Sequence, residues 1–349
     1  MLNVVDRLPA GFLQAQAREL VDILPGPTLI HLPGRRKSTL FVSILLHGNE
    51  DTGLLAMQWV LNKYLSPEGE GELPRALSLF VGNVQAAGEG LRRLDGQPDF
   101  NRVWPGTEAV DSREAALMRR VTEEMQRREL FASIDIHNNT GINPHYACVN
   151  RLDHRFFHLA TLFSRTVVYF IRPTGVQSAA FAELCPAVTL ECGKVGDRGG
   201  VEHAAQFVDA CLHLAQLPEH PVAPQDIDLF HTVAIVRIPE HVRFGFGRGD
   251  VDVRLAPDLD HLNFRELPKG TTLGWVERDC AGCIEVRDEH GEPVAERYFE
   301  VVDGELRTRV PLMPSMFTRD ERVIRQDCLG YLMERYPLER LAISGSADA

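Results

Sequence analysis

Thr39-Leu40-Phe41-Val42-Ser43-Ile44-Leu45-Leu46 runs without a break into His47-Gly48-Asn49-Glu50-Asp51-Thr52. The first eight residues are apolar and partly β-branched, and they read as a short buried strand. The polar stretch ends that strand abruptly, and Asp51 and Thr52 are residue types that begin helices. Leu54 to Leu61 then reads as an apolar helix, largely covered. Strand, polar turn, helix is the repeating unit of an α/β sheet, and such sheets place their sites at the turns.

The pattern recurs on the C-terminal side. Ala76–Gly82 reads as a second strand. Leu117, Met118, Val121 and Met125 recur at helical spacing within Ala115–Leu130, which predicts an amphipathic helix. That helix leads into a strand at Phe131–Ile136 that stops at His137. Further strands are expected at His145–Val149, Val167–Ile171 and Ala187–Leu190, with an apolar helix at Val201–Leu217. The expected fold is α/β, a three-layer sandwich with a central mixed sheet. The proline-rich stretch Leu217-Pro218-Glu219-His220-Pro221-Val222-Ala223-Pro224 reads as a linker. Beyond it lie short β-rich runs at Thr232–Ile238, Gly270–Val276 and Cys283–Val286. Two domains are expected, 1–218 and a smaller β-rich 225–349, with 344–349 as a frayed tail.

Composition narrows the function. The 349 residues include 37 Lys and Arg against 49 Asp and Glu, a net charge of −12. That balance argues against nucleic acid or an anionic membrane as partner, since both need clustered cations. An anionic substrate would need local arginines or a metal ion. The first twenty residues carry Asp6, Arg7, Arg18 and Glu19 and do not read as a signal peptide. No run approaches the ~20 apolar residues of a membrane span. Seven scattered cysteines fit free thiols in a reducing cytoplasm.

Three polar clusters follow apolar strands. The first is His47-x-x-Glu50, an imidazole and a carboxylate able to reach one ion. The second is Asp135-Ile136-His137-Asn138-Asn139-Thr140-Gly141, and the third Thr189-Leu190-Glu191-Cys192-Gly193-Lys194. Two histidines and a carboxylate with an open fourth position make the ligand set of hydrolytic zinc sites. Each cluster alone is common by chance; the reading rests on all three in this order.

Together with Asp99-Phe100-Asn101-Arg102, these stretches resemble the signature of the succinylglutamate desuccinylase/aspartoacylase family, a branch of the carboxypeptidase A-like zinc hydrolases. The resemblance covers about residues 38–217, and the β-rich remainder is similar in general character to that branch's C-terminal domain. It implies one zinc ion per chain, held by His47, Glu50 and His137. It implies Glu191 as the general base that takes a proton from water and passes it to the leaving amine. Asn101 and Arg102, with Asn138 beside them, would bind the substrate, the first two through its α-carboxylate. An arginine slightly upstream would stabilise the oxyanion. The stretch Arg92–Asp99 carries an extra residue relative to the family, so Arg93 is the choice and Arg92 the alternative. The implied substrate is a small N-acyl amino acid, preferably acidic, carrying a succinyl, acetyl or similar group. The reading leaves room for a homo-oligomer.

Aspartoacylases carry another arginine about ten residues before the catalytic glutamate. Here that neighbourhood reads Ala179-Ala180-Phe181-Ala182, and the nearest arginine is Arg172. The acyl group therefore stays open. Cys280-Ala281-Gly282-Cys283 reads as a hairpin turn before a metal or redox motif, and Cys192 as a core residue, because strand neighbours face opposite sides. His145, His154, His158 and His203 receive no role. The competing readings are a metallocarboxypeptidase acting on peptides and a catalytically silent binding protein on the same fold.

Overall fold

The computed structural model describes residues 1–247, 249–276 and 282–339. These form two compact units. The first comprises Met1–Asn138 and His145–Asp228, and the second Asn139–Pro144 and the chain from Leu229 onward. The division thus falls after Asp228, beyond the proline-rich stretch. Six residues from inside the first stretch of chain also belong to the second unit, an insertion that linear reading did not anticipate.

The first unit is built on a mixed sheet. Its strands in chain order are β1 (Asn3–Val5), β2 (Thr28–Leu32), β3 (Gly34–Ile44), β4 (Leu73–Val81), β5 (Leu130–Asn139), β6 (Tyr146–Val149), β7 (Thr166–Tyr169) and β8 (Ala187–Lys194). In space they lie in the order β1-β2-β4-β3-β5-β8-β6-β7. β3 is parallel to both β4 and β5, and β6 is antiparallel to β8. Its helices are α1 (Leu20–Ile23), α2 (Thr52–Leu65), α3 (Val84–Glu89), α4 (Arg113–Gln126), α5 (His154–Thr161), α6 (Gln177–Phe181) and α7 (Arg198–His213). The mixed α/β architecture expected from the sequence is present, and β1 and β2 extend it on the N-terminal side.

Local physics accounts for the elements. Leu40 to Ile44 are fully buried without alternation, as expected of a strand covered on both faces. In α4 the side chains of Ala115, Met118, Val121, Thr122 and Met125 turn inward, and the Ser112 hydroxyl caps the helix by accepting from the Ala115 N–H at 2.9 Å. β5 and β8 run past the apolar residues that define them in sequence. Asp135, His137, Asn138 and Asn139 are all buried within β5, and Glu191 within β8. An apolar criterion stops where polar residues begin, whereas these polar side chains remain buried because they bond to one another.

The second unit holds two sheets. In one, β9 (Asp228–Arg237) pairs with β13 (Glu285–Asp288) and β17 (Gly330–Arg335), and β17 with β16 (Met313–Ser315). In the other, β10 (Phe244–Gly245), β11 (Val253–Leu255), β12 (Thr272–Val276), β15 (Glu305–Thr308) and β14 (Phe299–Val302) lie in that order. Val236, Leu255, Phe317 and Leu332 belong to its apolar core. Residues 139–144 are tied into this unit: the Met316 N–H donates to Asn143 Oδ1 at 3.0 Å. The β-rich second unit is thus present. Cys280 and the tail 344–349 lie outside the described residues, and Cys283 is buried.

Two glycines let helices approach the strands that carry polar clusters. A Cβ at Gly48 would fall 2.2 Å from the Ala87 backbone nitrogen of α3, and one at Gly200 of α7 would fall 2.1 Å from the Cys192 carbonyl oxygen of β8. Alanine favours a helix over glycine by about 1 kcal/mol. Overpacking against backbone that cannot yield costs about 1–3 kcal/mol. Gly200→Ala is therefore expected to destabilise, read as a lower urea midpoint at unchanged slope. A midpoint equal to or above that of the parent protein would refute this packing.

Candidate metal centre and active site

β3 ends at Ile44, and Leu45 then adopts a left-handed φ of 53°, a conformation uncommon for a residue with a branched side chain. This kink turns the chain so that His47 and Glu50 lie on one side of the turn before α2. The turn is held from behind, with the Gly48 N–H donating to the Arg92 carbonyl at 3.1 Å. From β5, parallel to β3, comes His137. Asp135 shares its face of the strand because side chains two residues apart point the same way.

These groups converge. Glu50 Oε1 lies 2.8 Å from His47 Nδ1, and Glu50 Oε2 lies 2.8 Å from His137 Nδ1. Donor atoms of His47, Glu50 and His137 all lie within 4.8 Å of one another, the one such trio of potential ligands among the described residues. The far side of each ring is also engaged: His47 Nε2 is 3.1 Å from Asp99 Oδ1, and His137 Nε2 is 2.7 Å from Asp135 Oδ2. Asp135 is itself fixed by the Ser43 hydroxyl, which donates to it at 2.6 Å. Carboxylates behind imidazoles set the tautomer that leaves the inner nitrogen as a lone-pair donor. Two imidazoles and a carboxylate aimed at one point, each imidazole backed in this way, fit a zinc ion.

The electrostatics follow. Burial opposes ionisation of Glu50, but the charges and hydrogen bonds of His47 and His137 override it and hold the carboxyl far below its ordinary range. Burial likewise disfavours the charged form of His137, yet Asp135 and Glu50 raise its basicity well above the usual value. Asp99 is held low against burial by His47 and Arg92. Glu191 behaves differently. Burial pushes its carboxyl up to about 8, with His137 and Arg92 pulling down and Glu50 and Asp135 pushing up. It is buried, and on the neighbouring strand its register partner is the equally buried Tyr146.

The remaining residues singled out in the sequence divide in their placement. Arg92 enters the cluster, its Nη1 at 3.4 Å from Glu50 Oε1 and its Nη2 at 3.2 Å from Asp99 Oδ2. Arg93, the preferred choice from sequence, donates through Nη1 to the Gln97 carbonyl at 2.6 Å. The Arg92 guanidinium thus meets the cluster at Glu50 and Asp99. Arg102 Nη1 donates to the Asn101 carbonyl at 2.8 Å. The Asn101 amide lies among protein groups, its Nδ2 at 3.3 Å from Asp135 Oδ2 and its Oδ1 accepting from the Gln177 N–H at 2.8 Å. Asn138 donates through Nδ2 to Thr52 Oγ1 at 2.8 Å and to the Gly193 carbonyl at 3.0 Å, tying the start of α2 to the strand of Glu191. Cys192 is fully buried, and burial raises its thiol well above the usual value. Phe181 stacks on Phe41 at 4.3 Å in the core. Sequence reasoning gave no role to Asp99, Asp135, Ser43 or Gln177. The two-residue spacing of Asp135 and His137 on a strand was the available signal.

The first unit thus joins a mixed α/β sheet to a buried His-Glu-His cluster able to hold a metal ion. The profile of the succinylglutamate desuccinylase/aspartoacylase catalytic domain matches residues 37–217. The chain belongs to that family, whose members are N-acyl amino acid amidohydrolases. No curated protein matches by sequence. Among solved structures, the fold is similar to succinylglutamate desuccinylase from Chromobacterium violaceum, at 17% identity over 87% of each chain and a TM-score of 0.54. Succinylglutamate desuccinylase/aspartoacylase from Rhodobacter sphaeroides is similar at 16% identity over 88% of each chain, with a TM-score of 0.55. Murine aminoacylase 3 gives 14% identity over 86% of this chain and 96% of its own, with a TM-score of 0.53. No described helix is long and apolar enough to cross a membrane.

Because His137 holds a proton strongly in the metal-free protein, a cation must displace that proton to bind. Zinc affinity is expected to fall as pH is lowered, with proton release measurable by calorimetry in buffers of different ionisation enthalpy. Asp135→Asn should weaken zinc by about 10- to 100-fold. Affinity that stays flat from about pH 8 to about pH 6 would contradict the ligand assignment.

Proposed function

We propose that this chain is a zinc-dependent amidohydrolase that removes an acyl group from a small, acidic N-acyl amino acid. The observation that carries the reading is the meeting of His47, Glu50 and His137, with all donor atoms within 4.8 Å, beside a buried carboxyl on β8. His47, Glu50 and His137 would hold the ion. When bound, zinc supplies Lewis acidity toward the amide carbonyl and lowers the pKa of water.

The chain's own residues would do the rest. Glu191, as carboxylate, takes a proton from the attacking water and delivers it to the amine nitrogen as the C–N bond breaks. Its burial makes it a stronger base than an exposed glutamate, which suits proton transfer near neutral pH. Arg92, the alternative to Arg93 for this role, would balance negative charge developing on the carbonyl oxygen, a reading supported by its contact with Glu50 at 3.4 Å. Arg102 would bind the substrate carboxylate, since a guanidinium fork matches a carboxylate bidentately. Asn101 and Asn138 would contribute to substrate binding by holding the surrounding segments, through Gln177 and Asp135 for the former and through Thr52 and Gly193 for the latter. Arg92 and Arg102 on one loop would answer the problem of binding an anion to a chain of net charge −12. The six described cysteines form no disulfide, in keeping with a cytoplasmic setting.

The test is a panel of N-succinyl, N-acetyl and N-formyl acidic amino acids against short peptides, using zinc-loaded protein. Turnover of the acyl amino acids is expected, and turnover of peptides alone would favour a carboxypeptidase. Glu191→Gln should keep stoichiometric zinc and lose about 100-fold or more in kcat, the usual worth of a general base. Parallel loss of metal would place Glu191 among the ligands and overturn its role. The acid limb of kcat/KM should lie below pH 8, because a bound cation favours the ionised carboxylate over the metal-free value of about 8.

A further inference from the structure

Away from this cluster, His145 and His203 face each other. His145 immediately precedes β6, and His203 lies in α7. Their Nδ1 atoms are 2.9 Å apart, and their rings stack with centroids 5.2 Å apart. Phe163 lies against the His203 ring at 4.2 Å, which fixes the plane of the pair. On the far side of His145, Nε2 lies 3.6 Å from Asp197 Oδ2. The neighbouring Gly193 leaves room for the arrangement: a Cβ there would fall 3.0 Å from His145 Nε2 and 3.2 Å from Asp197 Oδ2.

In the neutral rings one Nδ1 carries hydrogen and donates it to the lone pair of the other. When both rings carry their hydrogen on Nε2 instead, both Nδ1 lone pairs face one point, and a divalent cation can take the place of the shared hydrogen. Burial and the neighbouring imidazole both disfavour protonation of His203, which favours the neutral ring that a metal ion binds. We propose that His145 and His203 form a second metal site, taking a borderline divalent transition ion such as zinc through both Nδ1 atoms, with Asp197 as the outer carboxylate of His145.

The geometry suits it. Zinc–imidazole bonds are about 2.0–2.1 Å, so nitrogens 2.9 Å apart subtend an angle of roughly 90° at an ion. A carboxylate near the outer nitrogen of His145 is the kind of group that orients a histidine ligand, and imidazole selects zinc, copper and nickel over calcium and magnesium. Only two protein donors meet here, and solvent completes the coordination. The site is therefore weaker than the one at His47, Glu50 and His137.

The experiment is a calorimetric zinc titration near neutral pH of the full chain already carrying one equivalent. A second, weaker equivalent is expected in the parent protein. His203→Gln and His145→Gln should each abolish it while keeping the first, with thermal melts confirming the fold of each variant. Asp197→Asn should weaken it by about 10-fold or more and serves if either glutamine variant fails to fold. In His137→Ala the first equivalent should disappear and the second persist, which separates the two assignments. Binding of a single equivalent by the parent protein, or a second equivalent unchanged in both glutamine variants, overturns the proposal.

Discussion

The Glu50 carboxylate, shared between two imidazoles at 2.8 Å each, is the contact on which the site depends. A buried carboxylate is tolerated only when its charge is met, and here both oxygens are met by groups on separate elements. Three carboxylates and two imidazoles would each pay the cost of burial unmet if placed singly in this interior. Arranged as Asp99–His47–Glu50–His137–Asp135, each negative group has a donor beside it. The chain of contacts gives the centre a strong affinity for positive charge, and the proton that Asp135 and Glu50 hold on His137 is the one a cation would displace.

The fold serves this arrangement through backbone geometry. Parallel β3 and β5 bring Ser43 opposite Asp135, so the serine hydroxyl steadies the carboxylate behind His137. The left-handed Leu45 and the absence of a side chain at Gly48 let the His47 turn fold against α3. Asn138 extends the same order to Glu191 by bonding the Gly193 carbonyl two residues farther along β8. Glu191 and the His-Glu-His cluster are thus referenced to one sheet, the arrangement that the proposed proton transfer over short distances requires.

Much of this was legible in the sequence. The run from Thr39 into His47-x-x-Glu50, and the two later strand-to-polar transitions, pointed to the α/β sheet and to the three groups that now meet in space. Strand ends were not legible, because His137 and Glu191 continue strands whose apolar signal had already stopped. The choice between Arg92 and Arg93 depends on how a loop turns, which neighbouring identical residues cannot reveal. The insertion of residues 139–144 into the second unit has no compositional mark at all. Asp99 and Asp135 were visible as letters, but their purpose appears only once each lies behind an imidazole. The pairing of His145 with His203, 58 positions apart, likewise depends on the packing of α7 against β8.

The most direct measurement of the central claim is anomalous diffraction at the zinc edge from crystals of the zinc-loaded protein. The strongest peak is expected about 2.0–2.2 Å from His47 Nδ1, His137 Nδ1 and a Glu50 oxygen. A strongest peak elsewhere, with these three side chains still bonded only to one another, would contradict it.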